Sequence, residues 1–207
     1  MKILSHRGFW KNSDEKNKFS SFERTIKNGF GTETDLRDYN GEIVISHDIA
    51  NNNVLNLDHI FSLFSDLELT LALNIKSDGL QKILKKKLVE FNITDYFVFD
   101  MSIPDTLNYI KNGFKVFIRQ SEYESNLFYY DLIDGIWLDC FEDIWYDKNF
   151  LLSHLNKNKK VCIVSADLHG RDRFHHWNII NSWDITKSEN LLICTDYPEE
   201  AKIFFKI

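Results

Sequence analysis

The sequence predicts an α/β protein, a compact (β/α)8 barrel (the TIM-barrel class) formed as a single domain over residues 1–207. Three observations lead there. Short runs that are apolar nearly throughout recur along the chain, the pattern of strands buried on both faces of a parallel sheet. Helices or helix-like connections separate about eight such runs, which favours a barrel over an open doubly wound sheet. Polar residues stand at the C-terminal strand ends: His6-Arg7, Glu33-Asp35, Asn74-Lys76, Asp100, Arg119, Asp139, Ser165 and Asp196. In a barrel those ends converge on one mouth.

Residues 2–5 read as the first strand and run into His6-Arg7-Gly8. After a polar loop, Ser20 with Glu23 three residues on fits a capping box; Phe22, Ile26 and Phe30 give its helix an apolar stripe, and Gly29 and Gly31 stop it. Residues 32–37 form the second strand, with Glu33, Asp35 and Arg37 on one face. Asn40-Gly41 signals a tight turn, and residues 42–46 return as a strand that delivers His47-Asp48. Residues 57–64 are weakly helical, 69–75 form an almost unbroken apolar strand, and Asp78 starts an amphipathic helix with Leu80, Ile83, Leu84, Leu88 and Phe91 on one side. Strands follow at 96–99, 115–118, 135–140, 160–164 and 191–194, with helices at 104–111, around 148–155 and at 198–205. The connections after Arg119 and after Val164 read as poorly helical.

At 43% hydrophobic and 14% aromatic, with two prolines and eight glycines, the chain can bury a full core and is neither disordered nor of low complexity. A net charge of -6 argues against broad nucleic-acid binding, and the basic run Lys85-Lys86-Lys87 reads as a solvated helix face. Cys140, Cys162 and Cys194 are widely spaced inside strand patterns, so they read as small buried hydrophobes rather than a disulfide framework or zinc site. No GxGxxG fingerprint is present. No apolar run approaches the roughly 20 residues of a membrane helix, and no signal-peptide pattern opens the chain, so the expectation is a soluble, cytoplasmic protein. Abundant Lys, Asn, Ile and Phe with little Pro suggest an A/T-rich bacterial genome. The oligomeric state stays open.

The chemistry gathers early in the chain. Glu33 and Asp35, two apart on one strand face, can aim two hard oxygen ligands at one Mg2+ or Ca2+. His6 and His47 have the pKa range for proton transfer near neutrality, one as base and one as acid. Arg7, Lys76 and Arg119 supply fixed positive charge for an anion, and guanidinium suits a phosphate's paired oxygens. Divalent cation, histidine pair and cationic clamp together describe cleavage of a phosphate ester. His59, His154, His175 and His176 lack such company and read as structural.

These residues resemble the glycerophosphodiester phosphodiesterases, within the superfamily of phospholipase-C-like phosphodiesterases. The resemblance rests on His6-Arg7-Gly8, Ser21-Phe22-Glu23-Arg24-Thr25, Glu33-Thr34-Asp35, His47-Asp48 and Thr195-Asp196-Tyr197-Pro198, and so runs from first strand to last. It implies that His6 and His47 are the acid–base pair, that Glu33 and Asp35 bind one divalent cation (Mg2+ or Ca2+), and that Arg7 contacts the phosphate. A further acidic ligand belongs in a segment resembling Leu-Glu-Ile-Lys, which here reads Leu73-Asn74-Ile75-Lys76. Asn74 can offer a carbonyl oxygen without charge, so metal affinity should fall; the lysine is kept as Lys76. The segment after His47-Asp48 is also shorter than the family's usual insertion.

The expected reaction is hydrolysis of a small phosphodiester, foremost a glycerophosphodiester, to an alcohol and a phosphomonoester such as glycerol phosphate. Attack from within the substrate, giving a cyclic product, stays open. Arg119, Asp139 and Arg171 are further expected substrate contacts, and the aromatic groups Trp137, Trp145-Tyr146 and Trp177 could hold a sugar or another polyol. The alternative is a catalytically weak or inactive phosphodiester-binding protein, its metal site impaired at Asn74.

Overall fold

β1 (Lys2–His6), α1 (Phe19–Lys27) and β2 (Gly31–Tyr39) open the chain in a computed structural model that describes residues 1–207. β3 (Glu42–Ile45) folds back antiparallel on β2 through the Asn40-Gly41 turn, and β4 (Leu55–Asn56) pairs with β3. Then come α2 (Leu57–Phe64), β5 (Leu71–Ile75), α3 (Gln81–Glu90), β6 (Tyr96–Phe99), α4 (Ile103–Lys111), β7 (Phe117–Gln120) and β8 (Gly135–Leu138). The chain ends with α5 (Lys148–Leu155), β9 (Lys160–Val164), α6 (Arg173–Ser182), β10 (Leu191–Thr195) and α7 (Pro198–Phe205).

Eight strands form the barrel, in the ring order β1-β2-β5-β6-β7-β8-β9-β10 and back to β1, with all named pairs parallel. The seam lies between β6 and β7, joined only by the bridge Val98–Val116, with Val98 N–H donating to Lys115 O at 2.9 Å. The strand at 42–46 is therefore not a barrel strand. It belongs to a hairpin that stands on β2 and carries His47 beside the mouth.

Two apolar layers hold this arrangement. The larger lies between sheet and helices and includes Phe22, Leu36, Ile60, Leu84, Tyr109 and Trp177. The smaller fills the barrel itself: Phe97 stacks on Phe117 at 3.8 Å between ring centroids, and Phe99 on Trp137 at 4.0 Å. Gly135 shows how full that interior is, because a Cβ there would stand 2.5 Å from Phe117 Cζ. No helix is long and apolar enough to cross a membrane.

Three local expectations change. The capping box at Ser20 does not form: α1 starts at Phe19 after Lys18, and Ser21 Oγ donates back to Lys18 O at 2.7 Å. The strand expected at 115–118 sits two residues later, at Phe117–Gln120. The connection after Val164 contains a full helix, α6, where the pattern read as poorly helical. Its buried face carries His176 beside Trp177 and Ile180, so apolar periodicity does not show it. The connection after β7 has only one turn of 3-10 helix, Tyr130–Leu132.

Candidate active site

The site starts where β1 runs out. Arg7 and Gly8 both adopt left-handed backbone, at φ 58° and 83°. For Arg7 this costs on the order of 1 kcal/mol. Two bonds hold the turn: Arg7 N–H donates to the Glu33 main-chain O (3.0 Å), and Gly8 N–H donates to the Thr32 side-chain Oγ1 (3.1 Å). A side chain at Gly8 would run into Ser21, so this glycine is required on two counts. The turn leaves His6 and Arg7 over the mouth, next to β2.

Glu33 and Asp35 point from β2 into that mouth and are buried, at 1% and 0% exposure. Asn74 lies opposite Asp35 in the β2–β5 register, on the same side of the sheet. Burial, and secondarily the charge of Asp35, push the Glu33 carboxyl well above the usual range, against the opposing pull of Arg7 and Lys76. Arg7 Nε is 2.9 Å from Asp35 Oδ2, close but not aligned as a hydrogen bond, while Asn17 Nδ2 donates to the same oxygen at 2.8 Å. Lys76 Nζ stands 3.6 Å from Asp35 Oδ1 and 3.6 Å from Asp100 Oδ2.

Three oxygens here have no hydrogen-bond partner although buried: Glu33 Oε2, Asp35 Oδ1 and Asn74 Oδ1. Orphaned buried acceptors are costly, and a hard cation is the ligand that satisfies several at once. The donor set thus fits a divalent cation, with two carboxylates and one amide. Nowhere do three or more His, Cys, Asp or Glu side chains gather at metal-holding spacing. Asn74 offers an amide oxygen beside the two carboxylates rather than a third carboxylate.

His6 Nδ1 is 2.7 Å from Asp196 Oδ1, and its Nε2 faces Glu33 Oε2 at 3.9 Å, beyond hydrogen-bond reach. Burial lowers the His6 pKa, against the opposing effect of Asp196. Burial alone would raise Asp196, but the His6 contact and Lys16, at 3.3 Å, outweigh it and hold the carboxyl below its usual value. Asp167 fixes the end of β10 by accepting from Thr195 Oγ1 and, at 2.8 Å, from Asp196 N–H. His47 is exposed, with Nδ1 2.8 Å from Asp48 Oδ1, and lines a groove of about 590 Å3 together with Arg7, Lys16, Asn17 and Ser46.

The remaining expected contacts lie farther round the barrel. Arg119 pairs with Asp100 (3.1 Å) and Glu124 (2.6 Å). Asp139 is buried, with Oδ1 2.7 Å from His169 Nε2. Arg171 donates to the Cys140 carbonyl and lies 3.0 Å from its sulfur. The aromatic groups are packing: Trp137 and Trp177 are buried, and Trp145 packs on Tyr146 and Phe150 while its N–H donates to Asp139 O at 2.8 Å. An aromatic sugar platform at the mouth is therefore not formed by these residues.

The sequence puts Asp196 and Asp100 at strand ends without giving either a partner. The signal for Asp196 was available, since β1 and β10 pair with Ser5 opposite Thr195 and so bring His6 and Asp196 side by side. Asn17 had no such signal; its bond to Asp35 depends on a left-handed backbone (φ 59°) inside a polar loop.

No protein-family model matches the chain, and no curated protein matches it in sequence. Solved structures do. The chain is similar to a glycerophosphodiester phosphodiesterase from Agrobacterium tumefaciens str. C58, with TM-score 0.72, 14% identity and 100% of both chains covered. It is similar to another from Parabacteroides distasonis ATCC 8503, with TM-score 0.71, 14% identity, and 99% of this chain and 96% of that one covered. A glycerophosphoryl diester phosphodiesterase from the same organism gives TM-score 0.72 at 13% identity, covering 99% and 86%. A dihydropteroate synthase from Xanthomonas albilineans, covering 99% and 91% at 11% identity, reaches a TM-score of only 0.51. The fold is thus the barrel that these phosphodiesterases share.

Proposed function

We propose that this chain hydrolyses a small phosphodiester, most directly a glycerophosphodiester, with one divalent cation, Mg2+ or Ca2+. One observation carries the reading: three buried oxygens without a hydrogen bond, on Glu33, Asp35 and Asn74, sit at the same mouth as the His6–Asp196 pair and the cations Arg7 and Lys76. The likeness in fold to glycerophosphodiester phosphodiesterases supports it.

Glu33, Asp35 and Asn74 would hold the cation, which when bound supplies positive charge against a phosphoryl oxygen. Arg7 and Lys76 orient the phosphate, already held in place through Asp35. Asp196 takes the Nδ1 proton of neutral His6 as a hydrogen bond and so leaves Nε2 free as an acceptor. His6 Nε2 removes the proton from the attacking water, and His47, on the groove that Arg7 also lines, returns one to the leaving alcohol. The chain's three free, buried cysteines fit a reducing compartment such as the cytoplasm.

The test is turnover of a panel of glycerophosphodiesters with choline, ethanolamine, glycerol and sugar head groups, in Mg2+, Ca2+ or Mn2+ and in chelator. Glycerol phosphate released only with metal, and lost in both His6→Ala and His47→Ala, supports the reading. A second reading, a phosphodiester-binding protein with little catalysis, draws on the occupied state of Asp35, which Arg7, Asn17 and Lys76 all approach. Saturable binding of the same diesters without turnover under any metal would favour it.

A further inference from the structure

Between α4 and the connection that follows β7 lies a cavity of about 340 Å3 that the reaction described above leaves unused. It exists because residues 121–129 cross toward β8 without a helix to cover the sheet. Its lining is mixed: Met101, Ile103, Phe117 and Phe128 supply an apolar side, and Ser125 and Asn126 a polar one. Three lining residues are held open to water at the rim, Ile103 at 47%, Phe128 at 48% and Tyr123 at 70% exposure. Large apolar groups kept in water around a concavity are the usual mark of a ligand site.

The cavity is joined to the phosphate site by a row of alternating charges. Asp35 faces Lys76 at 3.6 Å, Lys76 faces Asp100 at 3.6 Å, Asp100 faces Arg119 at 3.1 Å, and Arg119 faces Glu124 at 2.6 Å. The row begins on a candidate metal ligand and ends in the cavity wall. Within it Lys76 and Arg119 are matched by Asp100 and Glu124, so the wall carries no unpaired charge. The Thr106 hydroxyl is spent on Ser102 O at 2.9 Å. A cationic head group would find no free carboxylate there.

We infer that this cavity receives the alcohol half of the diester, and that this half is an uncharged alkyl or aryl alcohol rather than a cationic head group. The assignment rests on the phosphodiester reading above and narrows its substrate class.

The experiment measures calorimetric binding of the methyl, butyl and hexyl esters of glycerol phosphate, and of glycerophosphocholine, to His6→Ala protein in Mg2+. Affinity should tighten up to about four-fold per added methylene, the value of burying one CH2 group, with the hexyl ester well ahead of choline. Ile103→Asn and Phe128→Ser, both at the open rim and checked for an unchanged circular dichroism spectrum, should flatten that slope to below two-fold. Affinity independent of chain length, absence of binding, or choline ahead of butyl would overturn the assignment. Turnover of the same esters by the unaltered protein separates the two readings. A steep slope without cleavage keeps the cavity and sinks the hydrolase; cleavage with a flat slope does the reverse.

Discussion

His6 Nδ1 and Asp196 Oδ1 stand 2.7 Å apart, although 190 residues separate them in the chain. The contact sits at the mouth end of the β1–β10 pairing and fixes which ring nitrogen faces the site. Asp196→Asn should lower kcat/KM by about 100-fold, within the span that a positioned acid–base group contributes. Asp196 raises the His6 pKa, so its loss should also move the acid limb of the pH–rate profile to lower pH. An unmoved limb with a lower plateau would show Asp196 to be only a structural strut.

Glu33 titrates far above an ordinary carboxylic acid because it is buried beside Asp35. With its folded pKa above its unfolded value, the native state holds more protons between the two, and stability falls as pH rises through that window. Glu33→Gln removes this charge, so it should raise Tm at pH 8 by more than at pH 5 while abolishing binding of Mg2+ or Ca2+. Thermal melts at both values check the first claim, and cation titration the second. A lower Tm at pH 8 would show that the buried Glu33 charge does not weaken the fold.

Asn74 sets the strength of the candidate cation site. Asn74→Asp adds a third carboxylate beside Glu33 and Asp35 and should tighten Ca2+ or Mg2+ binding by roughly ten-fold, since charge count tunes such sites. Without cation the same change puts another like charge in a buried cluster, so Tm in chelator should drop. The metal-induced rise in Tm then grows from both directions. Equal melts with and without cation in this variant would show that Asn74 lies outside the donor set.

The barrel and the mouth were legible because strand burial and strand-end polarity are local patterns. Glu33, Asp35, Asn74 and Lys76 all stand where alternation along β2 and β5 puts them. What depended on cross-chain geometry was not legible. Lys76 and Arg119 read as free cations for an anion, yet Asp100 lies within 3.6 Å of one and 3.1 Å of the other. Trp137 read as a mouth residue, but the barrel interior must be filled, and its ring stacks on Phe99 there. α6 escaped notice because a buried histidine interrupts its apolar face.

That histidine gives a pH-dependent stability. His176 Nδ1 accepts the Ala166 N–H at 3.1 Å, and its Nε2 lies 2.9 Å from the Tyr146 hydroxyl. Protonation would turn the Nδ1 acceptor into a donor facing a donor, inside the core. Burial first, then Arg171 and His175, lower its pKa from 6.5 to about 4. The unfolded chain therefore binds the proton more readily, and stability is lost as pH falls from about 6.5 toward 4, then levels off. The loss amounts to roughly 3 kcal/mol. Urea unfolding at pH 7 and pH 4.5 measures it, and His176→Gln, which can offer both an acceptor and a donor without titrating, should remove most of the difference. A variant that loses as much stability as the unaltered protein over this range would assign the acid sensitivity to other groups.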